Sequence, residues 1–222
     1  MSSFSLVSSD PAFASKPFID GDRVLLNGKI FPWTGDVEDV TSPILDSATG
    51  KRLVIGRMAR MDAESSVQAF ESAKAAWKEG AGEWPQMPAN QRISAVLNLV
   101  TALKKKRDEI VTVLQWEICK TRGDAEAEFD RTMVFIHASI EALTEMDERE
   151  GNYVNTGGVF GRFRRAAIGV MLALGPFNYP FNETYTTIIP ALLMGNTIVM
   201  KIPTTGASDR FTSHYSLSKY LF

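Results

Sequence analysis

Phe129, Met133, Ile136, Ile140 and Leu143 recur at intervals of 4, 3, 4 and 3. That spacing gathers side chains into one stripe of an α-helix and predicts a helix over about 124–146 with a buried face. Arg131 lies two residues from Phe129 and so points off the stripe, towards a flank. Upstream, Asp62 can cap a helix whose apolar face is Val67, Phe70, Ala73 and Trp77, with Gly80 ending it. After the loop AGEWPQMPAN a second helix begins near Pro88, with Ile93, Val96, Leu97, Val100 and Leu103 inward. Lys104, Lys105, Lys106 and Arg107 close it, which suits the negative end of a helix dipole. A third helix covers about 108–118.

Period-2 signals flank this helical block. Val24, Leu26 and Ile30 alternate around Asn27-Gly28, which reads as a hairpin with a tight turn. A short strand at about 53–56 follows the polar segment 41–51, and the Gly-rich stretch 153–166 reads as extended or hairpin structure. Residues 168–174 form an unbroken apolar run, the mark of a strand buried on both faces. The sequence Pro-Phe-Asn-Tyr-Pro breaks that run. A helix over about 183–194 follows, with Pro190 inside it and Gly195 at the left-handed position beyond its end. Residues 197–201 are a second strand. Strand, helix, strand in this order predicts a crossover of a parallel, doubly wound sheet. The fold class is α/β: a helical layer, then the start of a Rossmann-type sheet that one crossover leaves unfinished.

Composition narrows the function classes. The chain has 222 residues, 45% hydrophobic and 23% charged, and 24 basic against 26 acidic residues give a net charge of −2. No basic footprint for nucleic acid results, nor a general attraction to anionic membranes. The single cysteine, Cys119, excludes an intramolecular disulfide, and with only His137 and His214 beside it no cysteine/histidine zinc site can form. No apolar run reaches the length of a membrane span. The Ser-rich leader, residues 1–20, has no basic residue before Lys16, which argues against a secretory signal; a cytoplasmic location is expected, with a plastid or mitochondrial one as the weaker alternative.

Candidate chemistry gathers at the carboxyl ends of the two late strands, where open α/β sheets bind ligands. Asn178 follows the first strand, and its amide can donate to an oxygen gaining negative charge. The prolines on either side restrict the backbone that carries it. Lys201 ends the second strand and offers a cation to ribose hydroxyls or phosphate, with the Thr204 hydroxyl three residues on. Taken alone, an asparagine between prolines is also an ordinary turn residue, and a lysine at a strand end an ordinary solvated one. Cys119, in WEICKTRGD at a helix junction, reads as a core or half-buried thiol.

Three stretches together, GPFNYP, PALLMGNTIVMKIPT and the Arg164-Arg165 pair leading into the first strand, resemble the aldehyde dehydrogenase superfamily. Within it the chain looks most similar to the NADP-dependent, non-phosphorylating glyceraldehyde-3-phosphate dehydrogenases, from the Asn27-Gly28 hairpin to Gly206. The resemblance implies that Asn178 donates to the oxyanion of a thiohemiacetal, that Lys201 binds the adenosine ribose or its 2′-phosphate, and that the Gly175 backbone lies along the cofactor. Members that prefer NAD often carry Glu where this chain has Thr204; a hydroxyl there can donate to a 2′-phosphate that a carboxylate would repel, which favours NADP over NAD. The resemblance further implies that Arg131, in EFDRTM, and Tyr179 bind the phosphorylated aldehyde. For Arg131 the alternative is a surface salt bridge to Glu128 or Asp130.

The reaction so implied oxidises glyceraldehyde 3-phosphate to 3-phosphoglycerate through a thiohemiacetal and a thioester, in a full-length homo-oligomer. In the family the nucleophilic cysteine and the base glutamate lie downstream of the KIPT block, and this chain carries neither. Residues 21–206 correspond to the N-terminal part of the cofactor-binding domain. Residues 207–222 depart from the family pattern, and Ile202 replaces a commoner proline. The expectation is an N-terminal fragment, inactive by itself, with a small phosphorylated aldehyde rather than nucleic acid or membrane as the partner of the complete enzyme. Two alternatives stand: an aldehyde dehydrogenase for another aldehyde, and a non-catalytic interaction or dinucleotide-binding fragment.

Overall fold

The computed structural model describes residues 16–201. Strands come before helices. β1 (Ile19–Gly21) pairs in parallel with β5 (Arg52–Ala59), and β4 (Val37–Leu45) pairs antiparallel with β5, giving a three-stranded sheet in the order β1-β5-β4. β2 (Arg23–Leu26) and β3 (Lys29–Pro32) form the expected hairpin. Its turn residues Asn27 and Gly28 both have positive φ, 50° and 69°, as a tight turn between twisted strands requires. The segment 41–51, read as polar, is strand as far as Leu45. β4 carries Glu38 and Asp39 outward, and its Val40 packs with Ile55 of β5 against Trp116, so only one strand face looks like a core sequence. The boundary drawn after residue 20 falls inside β1, and most of the leader, residues 1–15, lies outside the described residues.

The helical layer follows: α1 (Ala63–Trp77), α2 (Glu83–Gln86), α3 (Ala89–Lys105), α4 (Arg107–Ile118) and α5 (Arg122–Glu150). Asp62 caps α1, its carboxylate accepting from Ser65 N at 2.8 Å. Phe129, Met133, Ile136 and Leu143 are buried along α5, with Ile140 packed against them, as the 4-3-4-3 spacing predicts. On α3 the buried stripe is Val96, Leu99, Val100 and Leu103, and Leu97 is exposed. Val96 and Leu103 lie near the middle of that face, and Leu97 falls about 100° of helix rotation from Val96, beyond its edge.

After α5, β6 (Val154–Thr156) and β7 (Val159–Gly161) form a small antiparallel hairpin. β8 (Val170–Leu174), α6 (Asn182–Leu193) and β9 (Thr197–Lys201) then form the predicted crossover, with β8 and β9 parallel and in register from Val170–Thr197 to Leu174–Lys201. One face of this two-stranded ribbon, bearing Ala173, Ile198 and Met200, packs into the main core with α3, α5 and α6. α1 lies on the other face at its Thr197 end, where Thr197 Oγ1 donates to the Ala73 carbonyl at 2.9 Å.

β8 is not buried on both faces as expected. Leu172 and Leu174 are 63% and 61% exposed, because α1 reaches only the start of their face. Val67 and Phe70 of α1 are also exposed, and Ala73 is the buried residue of that helix.

Asn196 ties the crossover together. Its Oδ1 accepts from Ile168 N at 2.8 Å and Gly169 N at 3.1 Å, and its Nδ2 donates to the Ala191 carbonyl at 3.1 Å. Gly195, at φ 90°, makes the reversal into Asn196. Arg92 Nε donates to the Leu193 carbonyl at 2.9 Å, satisfying one of the carbonyls left open at the end of α6.

Candidate active site

The loop 175–181 joins the carboxyl end of β8 to α6, and both its ends are fastened. At the first, Gly175 N donates to the Lys201 carbonyl at 3.2 Å, extending the β8–β9 ladder by one rung. At the second, Phe181 is wholly buried. Its ring stacks on Phe129 at 5.3 Å between centroids and tilts against Tyr185 at 4.8 Å. Between these anchors Asn178 and Tyr179 are exposed, while Pro180 is buried.

Lys201 is also exposed, at the end of the strand that pairs with β8. The parallel register sets Leu174 beside Lys201, so the loop that carries Asn178 leaves the same carboxyl edge of the ribbon that Lys201 ends. The Gly175 amide is taken by the Lys201 carbonyl and is therefore not a free donor. Thr204 lies outside the described residues.

Arg131 and Tyr179 come together from separate elements. The Arg131 guanidinium carbon lies 5.0 Å from the centre of the Tyr179 ring, in cation–π range. The carboxylates offered as alternative partners for Arg131 are engaged elsewhere: Asp130 receives Arg107 at 3.0 Å, and Glu128 receives Lys120. Arg107 is thereby held above its usual pKa, chiefly by its hydrogen bond to Asp130.

Two further residues of this neighbourhood had no signal in the sequence. Lys120 sits 3.9 Å over the Tyr179 ring while its ammonium pairs with Glu128. Glu128 is fully buried, and its Oε1 accepts the backbone N–H groups of Phe181 and Asn182, both at 3.0 Å, at the N-terminus of α6. A carboxylate there meets both open amide donors and the positive end of the helix dipole. Asn182 Nδ2 adds a bond to Thr132 Oγ1 at 3.1 Å, and Thr132 Oγ1 donates in turn to the Glu128 carbonyl at 2.8 Å. In sequence Glu128 is one charged position beside an apolar stripe, indistinguishable from a solvated one.

Cys119 is exposed, not a core thiol. It is the residue after α4, in a left-handed conformation at φ 53°, and that turn lifts its side chain off the packed face. Partial burial of the sulfur pushes the thiol pKa up. The negative end of α4 opposes the thiolate as well. Arg164 and Arg165 pair with Asp147 and Glu150 at the end of α5, at 3.4 and 3.3 Å, and so brace the segment that enters β8. Two open depressions of about 440 and 520 Å³ lie elsewhere, beside Trp77 and Trp33. Among the described residues no cluster of His, Cys, Asp or Glu could hold a metal ion, and no helix is long and apolar enough to cross a membrane.

The sequence profile of the aldehyde dehydrogenase family matches residues 33–209. The chain belongs to the aldehyde dehydrogenase family. It is 32% identical over 168 residues to the NADP-dependent glyceraldehyde-3-phosphate dehydrogenase of Streptococcus equinus, covering 72% of this chain and 33% of that protein. It is equally 32% identical, over 157 residues, to N-succinylglutamate 5-semialdehyde dehydrogenase 1 of Caulobacter vibrioides, covering 70% of this chain and 31% of the relative.

Among solved structures, the NADP-dependent glyceraldehyde-3-phosphate dehydrogenase of Bacillus halodurans, complexed with NADP, superposes with a TM-score of 0.74 at 26% identity, over 90% of this chain and 41% of that one. This aldehyde dehydrogenase chain thus spans about a third of the length of the curated relatives it matches. The helical layer and the parallel β8–α6–β9 crossover are those of an aldehyde dehydrogenase-like fold, as expected.

Proposed function

We propose that this chain carries the oxyanion-binding, substrate-anchoring and part of the cofactor-binding machinery of an NADP-dependent aldehyde dehydrogenase acting on glyceraldehyde 3-phosphate. The observation that carries the proposal is the convergence of Arg131 and Lys120 on the ring of Tyr179, the residue after Asn178, in the loop that leaves the ribbon edge ended by Lys201. An aldehyde whose far end is a dianion suits a guanidinium presented on an aromatic platform, since the planar fork pairs with phosphate oxygens. With the anion held there, the Asn178 amide donates to the carbonyl oxygen as it gains charge.

The exposed Lys201 cation, beside the close backbone approach at Gly175, fits an anionic dinucleotide, and Thr204 is compatible with a 2′-phosphate. NADP, when bound, would supply the hydride acceptor. Cys119, the chain's one thiol, stands at the negative end of α4 with its pKa raised, which supports the further proposal that these 222 residues do not turn over alone.

A second reading follows from the equal identity to an N-succinylglutamate 5-semialdehyde dehydrogenase: the same guanidinium would then take a carboxylate. Titration calorimetry with glyceraldehyde 3-phosphate, N-succinylglutamate 5-semialdehyde and unphosphorylated glyceraldehyde separates these. The first reading expects the phosphorylated aldehyde to bind tightest, and tightest binding of the succinylated one would replace it. NADP binding weaker than NAD binding would overturn the cofactor assignment.

A further inference from the structure

The loop that bears Asn178 is held from below by a buried charge, and that charge has reach in two directions. Glu128 is fully buried on α5 and has three donors within hydrogen-bond distance: the amides of Phe181 and Asn182 on one oxygen and the Lys120 ammonium on the other. Lys120, whose side chain is 13% exposed, spends the rest of its charge on the Tyr179 ring at 3.9 Å. One carboxylate therefore fixes the backbone just after Pro180 and, through the lysine, the aromatic ring just before it.

We propose that Glu128 and Lys120 are positioning residues for the Asn178–Tyr179 turn: Glu128 sets the start of α6, and Lys120 sets the plane of the Tyr179 ring against which Arg131 lies. The geometry separates this from a general stabilising ion pair. A surface pair would contribute little and touch nothing else. Here the carboxylate is desolvated, and hydrogen bonds to a charged acceptor are about twice as strong as neutral ones. The two amides it binds belong to the residues that follow Tyr179 and Pro180, so a loss at Glu128 is felt first in that turn. Neither residue needs to contact a ligand. The description of the turn as part of an active site rests on the proposed function; the holding of the turn does not.

The test uses the full 222-residue chain, with amide exchange and ring resonances read by NMR. In Glu128→Gln the acceptor remains but the charge is gone. Exchange of the Phe181 and Asn182 amides is expected to quicken at least tenfold relative to Ile188 and Ile189 of the same helix, and the Tyr179 ring signals are expected to move. Lys120→Met should leave the two amides protected while the Tyr179 signals move, and Lys120→Arg, which keeps a cation over the ring, should restore them.

Unaltered amide exchange in Glu128→Gln, or Tyr179 signals unmoved in Lys120→Met, overturns the proposal. Where Glu128→Gln does not fold, the Lys120→Met and Lys120→Arg pair decides alone: movement with rescue supports the proposal, and no movement overturns it. A parallel titration with inorganic phosphate reports on the other reading. If the unsubstituted chain shows no phosphate-induced shift at Arg131 or Tyr179, the substrate assignment fails while the exchange data still decide the positioning role.

Discussion

The Arg131 guanidinium lies over the Tyr179 ring, 5.0 Å from its centre, although 48 residues separate the two in sequence. The contact joins α5 to the loop after β8, and in the proposed function it is the platform for the substrate anion. Replacing Arg131 with Met keeps the apolar stem against the ring and removes the fork. Binding of glyceraldehyde 3-phosphate to this chain should weaken at least tenfold, about 1.4 kcal/mol, with unphosphorylated glyceraldehyde unaffected. Calorimetry on both ligands checks this, and equal losses for the two would show that Arg131 shapes the loop and does not read the phosphate.

Asn196 is a structural counterpart to that site. It is nearly buried and makes three hydrogen bonds that join the entry to β8, the end of α6 and the start of β9. Asn196→Ala leaves the Ile168 and Gly169 amides without their acceptor, while the Ala191 carbonyl keeps the backbone N–H of residue 196 at 3.0 Å, and denaturant unfolding should show a loss of about 3 kcal/mol. Asn196→Asp keeps both acceptor bonds, loses the donor to Ala191 and sets a carboxylate against that carbonyl, so it should be destabilised too. A loss below about 1 kcal/mol in both variants would mean that water replaces the side chain without penalty.

Much of the fold is legible in the sequence alone. Periodicity on α5, the Asp62 cap, the Asn27-Gly28 turn and the order of β8, α6 and β9 all depend on local rules, which a sequence displays directly. The parallel crossover in turn brings the loop after β8 and the end of β9 to one edge by topology alone. What escaped was set by partners. Strand β4 is polar on its outer face, Leu97 misses the stripe by a fraction of a helix turn, and Leu172 and Leu174 have no layer over them; each depends on how far a neighbouring element extends. Lys120 and Glu128 escaped for another reason. Burying a charge is costly unless it is paired, so no compositional rule flags a buried Glu, and only the folded α6 terminus supplies its partners.

Acid should weaken the cap of α1. The Asp62 carboxyl is held below its ordinary value of 3.8, chiefly by the Ser65 backbone amide it accepts. A carboxylate whose folded pKa is depressed contributes stability above its unfolded pKa and loses that contribution as the pH falls through the folded value. Protection of the Ser65 amide should therefore hold at pH 5 and fall as the pH drops below 3.8. Asp62→Asn keeps a capping oxygen without the titration, so its Ser65 protection should not vary over the same range. Hydrogen exchange from pH 5 down to 2.5, about 1.3 units below the ordinary value, compares the two, and parallel losses would assign the effect to another carboxylate.

Cys119 offers a last check on the division of labour within the chain. A nucleophile for aldehydes works as the thiolate, and catalytic cysteines lie where positive charge or a helix N-terminus lowers their pKa. Cys119 has the reverse setting: partial burial raises its pKa above 9.0, and it follows the C-terminal end of α4. Its alkylation by iodoacetamide should be slow at pH 7 and still be climbing at pH values where a free thiol has levelled off. Cys119→Ser should leave glyceraldehyde 3-phosphate and NADP binding unchanged, because the sulfur belongs to neither proposed contact set. Fast alkylation at neutral pH, blocked by glyceraldehyde 3-phosphate, would instead place a reactive thiol at the proposed site and overturn the proposal that the chain does not turn over alone.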